Sequence, residues 1–264
     1  MELPDKVAVV TGGASGIGRA MALRFAADGA RGVVVADLDG AGAEAVAAQI
    51  GDGALPFECD VADPGHADAL LSAAESAFGP VDLFCANAGV AVGTDLATPA
   101  EWDLAFGVNV RSHIVAAERL LPGWLERGSG YFLTTASAAG IASQIGSAPY
   151  AVTKHAAVAF AEWLSITYGA RGVGVSCLCP MGVNTPLLTD GLGGEDSLGF
   201  RVVSAAAAVL EPEDVATAVV EGLRDERFLI LPHPEVLEFL RHKASDYDRW
   251  LSGMRRLQAR VESA

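Results

Sequence analysis

Two kinds of apolar pattern alternate along the chain. Short, mostly apolar runs recur at 7–10, 33–36, 81–86, 131–135, 173–178 and 228–231, with a weaker one at 55–58. Runs of this length with little polar alternation predict strands buried on both faces, as in a parallel sheet. Between them, alanine-rich stretches at 19–27, 43–50, 67–78, 101–125, 151–168 and 213–224 place apolar residues three and four apart and predict helices. Parallel neighbours need a crossover, and crossovers are right-handed. The alternation therefore predicts an α/β chain: a single-domain, doubly wound (Rossmann) fold with a mostly parallel seven-stranded sheet.

Two segments fall outside the alternation. Residues 186–200, rich in Gly and polar residues after a Pro-containing turn, read as a substrate flap. Residues 234–264 read as a helical extension, in which Val236, Leu240, Ala244, Tyr247, Leu251, Met254, Gln258 and Val261 advance by three or four. Trp250 and Leu257 widen that stripe, and six of the 18 basic residues lie in the same segment. The pattern predicts an apolar stripe packed on the acidic body of a neighbouring subunit, with a wall of the substrate pocket as a further expected role. With no repeat or low-complexity linker to split it, the chain 1–264 reads as one dinucleotide-binding and catalytic domain.

Composition narrows the function. At 51% hydrophobic and 19% charged residues the chain can build a large core, which excludes a disordered protein. A net charge of −15 makes nucleic acid and anionic membrane poor partners. The longest apolar run, 202–210, is far below the roughly 18 residues of a membrane span. Met1-Glu2-Leu3-Pro4-Asp5 carries acid where an export leader carries base, so a soluble cytoplasmic protein is expected. Cys59, Cys85, Cys177 and Cys179 lack the spacing of a zinc site or disulfide framework and read as buried free thiols. His66, His113, His155, His233 and His242 pair with no Cys or carboxylate, so no metal site is expected and the imidazoles read as solvated or singly hydrogen-bonded.

The chemistry concentrates after the strands. In residues 11–18, Gly12, Gly16 and Gly18 permit a tight turn and a close approach to a pyrophosphate, which meets the free N–H groups at the helix start. Asp37 closes the second strand, where a carboxylate accepts from ribose hydroxyls and repels a 2′-phosphate. Neither Ser15 nor Leu38 supplies positive charge, so NAD is favoured over NADP. Tyr150 and Lys154, four apart on a predicted helix, share a face; the ammonium favours the phenolate, making an acid/base pair. Ser137 follows the fifth strand, where its hydroxyl can polarise a reacting oxygen. Each feature alone has an ordinary reading: a glycine turn that binds nothing, a solvated aspartate, a half-core tyrosine beside a solvated lysine. Together they fall at the carboxyl ends of parallel strands, where such sheets bind ligands.

In this order the motifs resemble the short-chain dehydrogenase/reductase family over about residues 5–232: T-G-x-x-x-G-x-G at 11–18, Asp60-Val61, and Asn87-Ala88-Gly89. The resemblance implies a catalytic set of Asn109, Ser137, Tyr150 and Lys154, with Asn109 holding a water in a relay to Lys154, and a homo-oligomer, tetramer or dimer. The expected NAD site comprises Gly12, Ser15, Gly16, Ile17, Gly18, Asp37, Leu38, Asp60, Val61, Asn87, Ala88, Gly89, Tyr150, Lys154, Pro180, Val183 and Thr185. One motif departs: Pro180-Met181-Gly182-Val183-Asn184-Thr185 puts a thioether where the family has glycine. Met181 with Ser137, Gln144, Tyr150 and Leu187 is expected to meet substrate, and Ala91, Val92, Ile141 and Leu188 to extend an apolar wall. The expected function is NAD-dependent interconversion of a secondary alcohol and a ketone, the substrate at least partly apolar. The alternatives are a reductase of imines or conjugated alkenes, a silent dinucleotide sensor, and a structural subunit. The complete Asn, Ser, Tyr and Lys set favours an enzyme, since a sensor has no need of Tyr150.

Overall fold

The computed structural model describes residues 1–191, 194 and 196–263. Strands β1 (Val7–Thr11), β2 (Gly32–Asp37), β3 (Ala54–Glu58), β4 (Leu83–Ala86), β5 (Gly130–Thr135), β6 (Val173–Leu178) and β7 (Leu229–Ile230) form one sheet in the order β3-β2-β1-β4-β5-β6-β7. Every pairing is parallel. Such strands are covered on both sides, which is why Val7, Val9 and Val34 pack into one core while Ala8, Val10, Val33 and Val35 pack into the other. Helices α1 (Gly16–Ala27), α2 (Gly40–Ile50) and α9 (Pro212–Arg224) cover one face. Helices α3 (Pro64–Phe78), α5 (Ser112–Arg127) and α6 (Ala148–Tyr168) cover the other. Strand order reverses between β1 and β4, the switch point at which open α/β sheets leave a crevice.

Three stretches differ from the sequence reading. The helix expected over 101–125 is interrupted: α4 (Pro99–Phe106) passes through a π-helical turn, Gly107–Arg111, into α5. That turn holds Asn109, in keeping with the tendency of π-bulges to mark functional sites. The glycine-rich 186–200 stretch contains a short helix, α7 (Pro186–Thr189), and the start of α8 (Leu198–Ala206); Leu192, Gly193 and Glu195 of the expected flap lie outside the described residues. The carboxyl-terminal segment is two helices, α10 (Glu235–Ser245) and α11 (Tyr247–Glu262). They part at Asp246, which leaves helical geometry (φ −157°, ψ 97°) and caps α11 by accepting from the Arg249 N–H. The break rotates the stripe. Trp250, Met254 and Leu257 face a cavity beside α8, whereas Tyr247 and Leu251 are 55% and 43% exposed. Part of the stripe expected to meet another subunit, Trp250, Met254 and Leu257, is turned onto its own chain, while Tyr247 and Leu251 stay exposed.

Candidate active site

The carboxyl ends of the strands open into a cavity of about 540 Å³. At one end the glycine turn forms its floor. Gly12 and Gly16 have φ of +65° and +50°, a region that favours glycine, and a Cβ on Gly12 would sit 2.9 Å from Ala88 Cα. A Cβ on Gly18 would lie 1.9 Å from the Gly12 carbonyl oxygen. The turn is fastened to β4 through Thr11, whose Oγ1 accepts from the N–H groups of Asn87 and Ala88 (both 3.0 Å) and donates to the Cys85 carbonyl (3.1 Å). Asn87 Nδ2 donates to the Thr11 carbonyl (2.9 Å). Asp37 reaches back across the turn: its carboxylate accepts from the N–H of Ala14 (2.9 Å) and of Asp39 (3.0 Å) while lining the cavity. Leu38, Asp60 and Val61 continue that wall, and Asp60 accepts from the Ala62 N–H at 2.9 Å. Cys59, which the sequence reading left out, also lines it. Burial, with the carboxylates of Asp60, Asp63 and Asp37 adding to it, pushes its thiol up to about 11, so it is an uncharged wall.

At the other end Ser137, Tyr150 and Lys154 converge, all buried. Ser137 Oγ accepts from the Ala139 N–H (3.1 Å), and Ser147 caps α6 by accepting from the Tyr150 N–H (3.3 Å). Lys154 Nζ donates to the Thr135 carbonyl (3.0 Å) and stands 5.7 Å from the Tyr150 ring centroid. Loss of hydration lowers the Lys154 pKa from 10.5 to about 8. The same burial raises that of Tyr150, opposed by a hydrogen bond with Ser137. The expected shift toward the phenolate is not seen: burial is the largest influence on the ring and favours the protonated phenol.

Each cofactor and substrate position expected from the sequence lines this cavity, including Ser15, Ile17, Gly89, Pro180, Val183, Thr185, Gln144, Met181 and Leu187. Leu188 joins them, whereas Ala91, Val92 and Ile141, expected to extend the wall, do not line the cavity. Asn109 does not line it either: its carboxamide accepts from the Val90 N–H (2.9 Å) and donates to the Val90 carbonyl (2.9 Å) and to Thr153 Oγ1 (3.0 Å). Both amide hydrogens are engaged by protein. Two histidines depart from the solvated reading. His233 Nδ1 accepts from the Met181 N–H (3.1 Å) while Nε2 meets the Ala208 carbonyl (3.1 Å), bridging the Pro180–Gly182 turn and the segment just after α8. His113 is buried with neither nitrogen hydrogen-bonded to protein, and burial beside the Lys154 charge pulls its pKa down to about 3. The sequence reading also missed Phe239 of α10 and Val202 of α8 in the wall, and Lys243 behind it, whose Nζ donates to the carbonyls of Ile141 and Ala142 (2.7 Å each). Among the described residues no group of His, Cys, Asp and Glu could hold a metal ion, and no helix is long and apolar enough to cross a membrane.

A family model described as short chain dehydrogenase matches residues 6–192. The 1-deoxy-11-beta-hydroxypentalenate dehydrogenase of Streptomyces exfoliatus is 38% identical over 96% of this chain and 92% of its own. A short-chain dehydrogenase/reductase from Burkholderia phymatum, solved with NAD, superposes with a TM-score of 0.85 at 32% identity, covering 94% of this chain and 96% of the other. The 3-ketoacyl-(acyl-carrier-protein) reductase of Brucella melitensis, solved with NADH, gives 0.78 at 34% identity, covering 87% and 96%. The chain belongs to the short-chain dehydrogenase family of oxidoreductases.

Proposed function

We propose that this oxidoreductase uses NAD to interconvert a secondary alcohol and a ketone, on a substrate that is at least partly apolar. One observation carries the reading: a single cavity has the glycine turn and Asp37 at one end and Ser137, Tyr150 and Lys154 at the other. The nucleotide end fits the cofactor. The glycine turn lining the cavity, the α1 start and the Asp37 carboxylate match a pyrophosphate followed by a ribose that lacks a 2′-phosphate. When bound, NAD supplies the hydride acceptor and NADH the donor.

The chain's own groups then move the proton. Tyr150 gives its phenolic proton to the carbonyl oxygen in reduction and takes one from the hydroxyl in oxidation. Burial keeps it a phenol at neutral pH, so reduction starts from the ready form and oxidation gains as pH rises. Ser137, held from behind by the Ala139 N–H, donates to the same substrate oxygen as negative charge develops. Lys154, anchored on Thr135, adds positive charge beside the ring, and Asn109 positions the Val90 turn next to Gly89. Exposed Trp163 and Ile166 on α6 and Leu104 and Phe106 on α4 support a homo-oligomer joined through these neighbouring helices. The test is an NADH-forming screen over secondary alcohols graded by size, run with and without NAD-induced thermal stabilisation. No stabilisation by NAD overturns the cofactor reading. Stabilisation without hydride product from any alcohol favours the sensor instead.

A further inference from the structure

We infer that the α10–α11 pair is the specificity wall of this site and that it selects a bulky, uncharged alcohol or ketone, holding the apolar part against Trp250, Met254 and Leu257. The inference rests on the reading of the Ser137–Tyr150 end as the reacting end. Trp250, Met254 and Leu257 stand at i, i+4 and i+7 on α11, so their side chains form one continuous strip, which together with Phe239 of α10 lines the cavity. Leu188 and Val202, from α7 and α8, line it too.

Charge sharpens the class. Among the described residues Lys154 is the single Lys or Arg lining the cavity, and it is engaged with the Thr135 carbonyl. Leu192, Gly193, Glu195 and Ala264 carry no positive charge either. None of the α11 arginines, Arg249, Arg255, Arg256 and Arg260, lines the cavity. A substrate carboxylate entering here loses its water and meets no cation but Lys154, which is already engaged, whereas an apolar ring gives up no hydrogen bond. Gln144 offers a neutral contact, with its amide N–H already turned to the Ile145 carbonyl at 2.9 Å.

The wall is also held in register with the chemistry. Lys243, near the end of α10, donates to the carbonyls of Ile141 and Ala142 and stands 3.3 Å from His155 Nε2. Those carbonyls belong to the turn that follows Ser137, so the bond ties the extension to the segment carrying the reacting hydroxyl. Val236, fully buried in the core, fixes the start of α10.

The experiment uses the full chain with NAD and three alcohols: 4-tert-butylcyclohexanol, 4-hydroxycyclohexanecarboxylate, which replaces the apolar group by a charge, and 2-propanol. The expected kcat/KM for the tert-butyl compound exceeds that for the carboxylate by at least a hundredfold. Trp250→Ala should lower the ratio of the tert-butyl compound to 2-propanol at least tenfold, chiefly through KM. Equal turnover of carboxylate and tert-butyl compounds, or an unchanged ratio in Trp250→Ala, overturns the inference. Binding supplies an arm that needs no turnover: 4-tert-butylcyclohexanol should shift the tryptophan emission of the wild type and leave that of Trp250→Phe unmoved. An emission shift without oxidation retracts the hydride-transfer reading and keeps the wall; no shift and no turnover overturns the wall.

Discussion

Replacing Asp37 should change two measurements together, because one carboxylate serves two structures. It accepts from the N–H groups of Ala14 and Asp39, holding the glycine turn in shape, and it lines the cavity where a ribose would lie. A backbone bond to a partly buried carboxylate is worth about 1 kcal/mol net. Asp37→Ala removes both, so it should lower stability by about 2 kcal/mol, or roughly 4–8 °C in Tm for a chain of this size. Against a 2′-phosphate the same group acts by repulsion. At ~5 Å and an effective dielectric of ~20, two unit charges repel by about 3 kcal/mol, which is about two orders of magnitude in affinity. Wild type should therefore bind NAD at least ~100-fold more tightly than NADP, and Asp37→Ala should bring the two within about tenfold. Leu38 is 69% exposed, so an arginine fits there without repacking, and Asp37→Ser with Leu38→Arg should reverse the preference. Calorimetric titration with both dinucleotides at fixed ionic strength, beside melting curves, reads both effects. Comparable NAD and NADP affinities in the wild type would refute the electrostatic argument. An Asp37→Ala protein with unchanged Tm would refute its role in the turn.

Tyr150→Phe should keep NAD-induced stabilisation while turnover falls by ~10²-fold or more, since it deletes one oxygen from a buried ring; near-normal turnover would show that another group moves the proton. Gly18→Ala, whose methyl would meet the Gly12 carbonyl oxygen and Asn87 Nδ2, should abolish the NAD-induced rise in melting temperature, and a retained rise would show that the turn can open. His113→Leu should lessen acid sensitivity. The unfolded chain binds a proton at this position below about 6.5 and the folded chain only near 3, so wild-type stability falls as pH drops from 6.5 toward 3, by up to ~1.4 kcal/mol per pH unit. Melting at pH 7 and pH 5 checks this: the variant should lose less than the wild type, and an equal loss would refute the assignment.

The strands were legible because buried parallel strands must be apolar at nearly every position, and Val7–Thr11 and Gly32–Asp37 are. The glycine turn was legible because steric exclusion at Gly12 and Gly18 leaves few other residues. Side-chain direction was harder. Tyr247 and Leu251 fit a continuous stripe as well as Trp250 and Leu257 do, and only the stop at Asp246 decides between them. A cap aspartate was present in the sequence, but an Asp inside an otherwise periodic run reads equally well as a solvated position. The π-turn at Asn109 leaves no local mark, since it answers to the Val90 and Thr153 contacts made far along the chain. The raised pKa of Tyr150 depends on burial by elements that no spacing rule reports.

Thr11 carries a consequence for the order of assembly. Its hydroxyl and carbonyl join the first turn to residues 85–88, some 74 to 77 positions later, and Ala88 closes the space above Gly12. A chain emerging from the ribosome thus has its glycine motif complete long before the cradle exists, and the cradle waits for β4 to dock beside β1. An amino-terminal fragment ending before residue 80 would carry the whole fingerprint and hold no dinucleotide. Cofactor capture is a late event in the life of the nascent chain, coupled to closure of the centre of the sheet rather than to synthesis of the motif itself.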